Sequence, residues 1–152
     1  MPVSLLYCRT DLDAALAISE HLRLEGVTTC LEAIDTPADD ACTVSARVRR
    51  NLHHCTHLIA LVSSNTCNAW WVPFALGVAC AVERRVSTFQ LAAPDAPGYL
   101  HAWPRMAHAW DLDLFISAYR LEHTLGRLHG TGAEDSAQRF HAELKASIGR
   151  GY

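Results

Sequence analysis

His57-Leu58-Ile59-Ala60-Leu61-Val62-Ser63-Ser64, followed after a few polar residues by Trp70-Trp71-Val72-Pro73-Phe74-Ala75-Leu76-Gly77, is the stretch whose reading decides the fold. Its first six residues are an unbroken apolar run, the pattern of a parallel strand covered on both faces. The apolar segment that follows, Ala69 to Val82, has 14 residues and contains Pro73 and Gly77. A helix that crosses a bilayer needs ~20 apolar residues, so this one reads as a buried helix. Pro73 suits the first helical position, since its φ is already fixed and its missing N–H would have no partner there. The helix is predicted to run to about Glu83.

Working outward, Val3 to Tyr7 reads as a first strand. Thr10 with Asp13 offers a weak cap to a helix carrying Leu12, Ala15, Ile18 and Leu22 at helical spacing, and Gly26 suits its C-terminal end. Val27 to Leu31 is the next predicted strand, and Asp35 to Asp40 a polar loop. Thr43 is placed to cap a helix with Val44, Val48 and Leu52 on one face. Val86 to Gln90 reads as a fourth strand, Leu91 to Arg105 as loop and Met106 to Trp110 as a short fifth strand. Asp111 then caps a helix through Leu128 that ends near Gly130, and Thr131 with Glu134 forms a capping box for a last helix ending near Gly149. Strands alternating with helices over short connections predict an α/β fold, a central parallel sheet of about five strands with helices on both faces. One domain over 1–152 is expected, with its core at about 3–130 and an extra C-terminal helix at about 132–149.

Composition narrows the functions. Half of the 152 residues are hydrophobic and 19% are charged, which is a globular rather than a disordered balance. The net charge is -3 and basic pairs go no further than Arg49-Arg50 and Arg84-Arg85, so no nucleic-acid partner is expected. The N-terminal residues lack the layout of a signal peptide, and no run is long enough to span a membrane, so a cytoplasmic location without membrane partners is expected. Six widely spaced cysteines without a CxxC read as small buried thiols in a reducing compartment. His53, His54, Cys55 and His57 fit no standard zinc spacing, and no metal is predicted.

In such sheets, sites form beyond the C-terminal ends of the strands. That rule points to Cys8–Asp11, Glu32–Asp40 and Ser63–Trp71 converging on one crevice. Arg9 suits a phosphate but equally suits solvent. Trp70 and Trp71 either stack on a ligand ring or fill the core, and Asp35 either gates the crevice or makes a turn. No GxGxxG or P-loop is present, although an unrelated nucleotide-binding domain of the same fold class stays open.

Three elements in this order, Leu6-Tyr7-Cys8-Arg9-Thr10-Asp11, the loop Asp35 to Asp40, and Ser63-Ser64 through Trp71 to Ala75, resemble the TIR (Toll/interleukin-1 receptor) domain family. The resemblance covers roughly Val3 to Trp110 and implies a single flavodoxin-like domain. It further implies that Tyr7, Arg9, Asp11, Asp35, Ser63, Trp70 and Trp71 line a pocket for NAD+, which is a substrate, with no bound cofactor. The loop in the place of the family's BB loop lacks its usual glycine. Enzymatic members cleave NAD+ with a glutamate four residues after the tryptophan, and that position is Ala75. Breaking the nicotinamide–ribose bond gives an oxocarbenium-like transition state, which a carboxylate stabilises and an alanine does not.

Ala75 has two readings. Either it is native to a binding-only relative, or it replaces a glutamate and silences an enzyme. The intact neighbourhood from Trp71 to Gly77 favours the second. The resemblance then implies a TIR-type NAD+ glycohydrolase or ADP-ribosyl cyclase, similar to the stand-alone TIR proteins of Thoeris-type bacterial anti-phage defence, which reach a separate effector through a nucleotide signal. The alternatives are an NAD-depleting toxin and a non-catalytic scaffold that self-associates through TIR surfaces.

Overall fold

Alternate residues of the first strand leave for opposite sides of the sheet. Val3, Leu5 and Tyr7 enter one core and Leu6 the other. The third strand divides likewise, Ile59 and Leu61 against Leu58, Ala60 and Val62, which is why Leu58 to Val62 had to be apolar throughout. The computed structural model of the chain describes residues 1–35, 39–92, 96–129 and 133–151, those at 126–129 and 133–134 by backbone alone.

Their order is β1 (Val3–Cys8), α1 (Leu12–Leu24), β2 (Thr29–Ile34), α2 (Ala41–His54), β3 (His57–Val62), α3 (Trp71–Ala81), β4 (Arg85–Gln90), β5 (Arg105–Met106), α4 (Ala109–His129) and α5 (Ala133–Arg150). Single 3₁₀ turns lie at Arg9–Asp11 and Gly98–Ala102. The sheet runs β2-β1-β3-β4-β5 and every pairing in it is parallel. This is the expected α/β architecture, a flavodoxin-like arrangement with α1, α4 and α5 packed on one face and α2 and α3 on the other. Among the described residues, no helix is long and apolar enough to cross a membrane.

Several boundaries differ from those read in the sequence, each for a local reason. β2 begins at Thr29, not Val27, because α1 ends in a Schellman turn. Gly26, at φ 79°, donates to Arg23 O at 3.0 Å, and Val27 N donates to Leu22 O at 2.9 Å. Val27 is thus the apolar residue that closes the helix. Asp40, not Thr43, caps α2: its carboxylate accepts from Thr43 N at 2.8 Å and from the Thr43 hydroxyl at 3.1 Å. α3 begins at Trp71, so Pro73 is its third residue, where a missing N–H still costs no helical bond.

At the other edge, β5 stops at Met106 and Trp110 is already in α4. Asp111 lies inside that helix and reaches back, accepting from Ala107 N at 2.7 Å and His108 N at 3.0 Å. It is one half of a capping box rather than the cap itself. The predicted capping residue Thr131 lies outside the described residues, and the side chain of Glu134 is not described.

Candidate functional site

β1 and β3 are neighbours in the sheet although β2 intervenes in sequence, so their connections leave toward opposite faces. The crevice beyond their C-terminal ends is the switch point where open α/β sheets place ligands. Two polar turns meet there. β1 runs into the 3₁₀ turn Arg9–Asp11, and β3 into Ser63-Ser64-Asn65-Thr66.

The second turn is closed by its own side chains. Ser63 N donates to Thr66 Oγ1 at 2.7 Å, and Thr66 N and Cys67 N donate to Ser63 O at 3.1 and 2.9 Å. The Ser63 hydroxyl is then free to donate across the switch point to Asp11 Oδ2 at 2.7 Å, while accepting from Asn65 N at 3.1 Å. Asn65 Nδ2 adds a weaker bond to Asp11 Oδ1 at 3.3 Å. The two strand ends are therefore joined by one carboxylate with two side-chain donors. The Ser63 hydroxyl meets a carboxylate and a backbone N–H, not an imidazole. The arrangement fixes two loops and presents polar atoms; it is not built as a nucleophile with its base.

On the β2 side, Arg47 of α2 ties the end of β2 to Asp39. Its guanidinium donates to Glu32 Oε1 at 2.6 Å, Asp39 Oδ2 at 2.9 Å and Ala33 O at 2.7 Å. Asp39 also accepts from Asp35 N at 3.2 Å, and Asp39 N donates to Asp35 O at 2.7 Å, so these two residues are tied to each other. Arg9, well exposed, approaches Asp35 Oδ2 at 3.9 Å, a loose surface pair worth little.

The residues predicted to line the pocket are thus divided. Arg9, Asp11, Asp35 and Ser63 stand at the strand ends. Tyr7 packs into the core under α1, and burial, with Glu32 adding to it, pushes its phenol pKa up, so it stays protonated. Trp71 is 1% exposed and fills the core under α2 and α3, whereas Trp70 is 44% exposed and lies against Phe74 with ring centroids 5.8 Å apart.

Ala75 is 0% exposed, packed among the side chains of that same core. Counted from Trp71 it is the fifth residue of α3, past the first turn in which a helix N-terminus acts strongly on a charge. Helix entry at Pro73, the position expected from the sequence, would have made it the third residue and part of the first turn. Asn65, Thr66 and Arg47 were not among the predicted residues. Ser-Ser-Asn-Thr after a strand is a turn signal that pointed to the first two, while a lone arginine on a helix carried none.

The four residues weighed as a metal cluster are scattered. His53 and His54 are exposed in the last turn of α2, while Cys55 and His57 are buried. His57 Nε2 meets Glu122 at 3.0 Å instead. Among the described residues, no three His, Cys, Asp or Glu side chains are grouped to hold a metal ion. No protein-family model matches the chain, and no curated protein matches it.

Proposed function

We propose that the chain is a TIR-type binding and assembly domain that does not turn over NAD+ as its sequence stands. The observation that carries this reading is Ala75: the position that would need a carboxylate holds a methyl group, fully buried in an apolar core. Of the carboxylates at the crevice, Asp11 is engaged by Ser63 and Asn65, and Glu32 and Asp39 by Arg47. An assembly role is supported on the opposite face of the sheet. There an apolar groove of about 280 Å³ between α1 and α4 is lined by Ala14, Ile18, Phe89, Leu91 and Leu112. The same two helices expose the large apolar side chains of Leu16 (48%) and Trp110 (54%).

A second reading, an NAD-cleaving enzyme silenced by loss of its glutamate, is favoured by the Asp11–Ser63 tie, which keeps the mouth of the crevice ordered. Incubation of NAD+ with the chain and with Ala75→Glu, followed by chromatography of released nicotinamide, separates the two. The assembly reading expects no turnover from either, together with a dimer or larger species in light scattering that Leu16→Glu disperses. Nicotinamide release by Ala75→Glu overturns it in favour of the enzyme.

A further inference from the structure

We propose that the groove between α4 and α5 is a two-fold contact in which a second copy of the chain docks, with α5 antiparallel to α5. Two sides of α5 are taken up within one copy. Ala137, Phe140 and Leu144 are buried, Phe140 and Leu144 in the core shared with α4. His141 accepts from Val86 N at 2.8 Å, and Lys145 Nζ donates to Ala102 O at 2.7 Å, so a second side is fastened to β4 and to the 3₁₀ turn before β5. The remaining side includes Glu143, Ala146 and Arg150. With Leu114, Ala118 and Leu121 of α4, these line a groove of about 440 Å³, and Leu121 is 46% exposed there.

The charges on this groove select the partner. Glu143 and Arg150 stand about two helical turns apart on the same side of α5. Among the described residues neither meets an oppositely charged side chain, and Arg150 makes a weak bond to Ser147 Oγ at 3.5 Å. One acid and one base at the two ends of a face make that face complementary to itself when it is turned end for end. A two-fold axis passing between Ala146 and Ser147 sets Glu143 of each copy opposite Arg150 of the other, giving two equivalent ion pairs. The small side chain of Ala146 near the axis lets the helices approach to about 8–10 Å. The exposed Leu121 of each copy then has the groove of the other to enter. A wholly acidic or wholly basic partner face would leave one of the two charges opposite its like. The contact uses other residues of α4 than the groove toward α1 does, so the two faces act independently. Two short helix faces bury less than a standard interface, and the pairing is therefore weak and concentration-dependent.

The test uses the full chain carrying Leu16→Glu, which removes association through α1. Cys42 and Cys80, exposed rather than buried as the sequence suggested, are changed to serine so that copies do not cross-link. Sedimentation velocity over a concentration series is expected to show a monomer that dimerises at the upper concentrations. Glu143→Arg and Arg150→Glu should each raise the dissociation constant roughly tenfold or more, because either change alone sets like charges opposite one another. Mixed in equal amounts, the two variants should form a heterodimer tighter than either forms with itself, since one supplies both bases and the other both acids. Where Glu143→Arg does not fold, Glu143→Gln takes its place and should raise the constant about threefold. A parent chain that stays monomeric at every concentration leaves the groove to a different partner and overturns the proposal. It is equally overturned by charge variants that dimerise as the parent does, or by a mixture that associates no better than its parts. Release of nicotinamide by Ala75→Glu would overturn the assembly reading above and leave this contact standing, since it is judged by mass alone.

Discussion

At the scale of single residues, one-position differences decide what the crevice contains. Trp70 and Trp71 are adjacent, yet one is half exposed and the other fills a core, because successive helical residues point about 100° apart. Four residues on, Ala75 faces inward with Trp71. A glutamate there must lie in an apolar cluster or force it open, and burial would push its carboxyl pKa upward. Ala75→Glu is expected to lower stability by roughly 2–4 kcal/mol, read from the urea midpoint. An unchanged midpoint would mean that the second core yields a polar pocket at this position, which is what an enzyme needs. Ser63→Ala tests the tie between the two strand ends. It leaves Asp11 with one weak donor and Asn65 N without its acceptor. A loss of about 1–2 kcal/mol is expected, with faster amide exchange at Asn65 and Thr66.

Elements show where the chain accepts strain. α1 and α3 end in the same Schellman geometry but with different residues at the left-handed position. In α1 it is Gly26; in α3 it is Glu83, at φ 58°, with Glu83 N donating to Cys80 O at 3.0 Å and Arg84 N to Ala79 O at 2.8 Å. A side chain in that conformation costs about 1 kcal/mol. Glu83→Gly should therefore raise stability by roughly 0.5–1 kcal/mol in chemical denaturation, despite the greater freedom it gives the unfolded chain. A decrease would mean that the Glu83 side chain contributes more than its backbone costs. The strand boundaries follow the same local logic. β2 was read two residues early because Val27 looks like the start of an apolar strand, while its N–H belongs to the end of α1.

Over the whole molecule, acid is expected to loosen the face built by α4 and α5. His57 lies beneath Phe115 and Phe140, with ring centroids 5.9 and 5.0 Å away, and burial holds its pKa below the usual histidine value. The neutral ring meets Glu122, whose carboxylate also accepts from the Arg85 guanidinium. His141 on α5 accepts from Val86 N at 2.8 Å through Nε2, a bond that a proton on that nitrogen would abolish. Burial, with Lys145 and Arg85 adding to it, holds His141 down to about 4. Its folded pKa is lowered, so the unfolded chain takes up a proton first. The stabilisation is complete above about 6.5, the ordinary histidine value, and is lost as pH falls toward about 4. Allowing for partial solvent screening, His141 should account for roughly 1–2 kcal/mol of that loss. Urea midpoints measured between pH 7.5 and 4 should fall steadily, and less steeply in His141→Gln, whose side chain does not titrate in that range. Equal slopes would remove His141 from the account.

The sequence by itself determined the kinds of element and their order, because each is a local matter of apolar period, helix ends and turn residues. β3 was legible to the residue, since an apolar run bounded by polar neighbours leaves little choice. Strands alternating with helices over short connections implied an α/β fold with helices on both faces of a parallel sheet. Only the tertiary structure decided which strands are neighbours and which face each helix buries. With that it decided that Tyr7, Trp71 and Ala75 lie in cores, that Asp11 meets Ser63, and that Arg47 meets Glu32. The physical reason is the same throughout. Those contacts join residues distant in the chain, and they form only when whole faces pack, which no window of sequence contains.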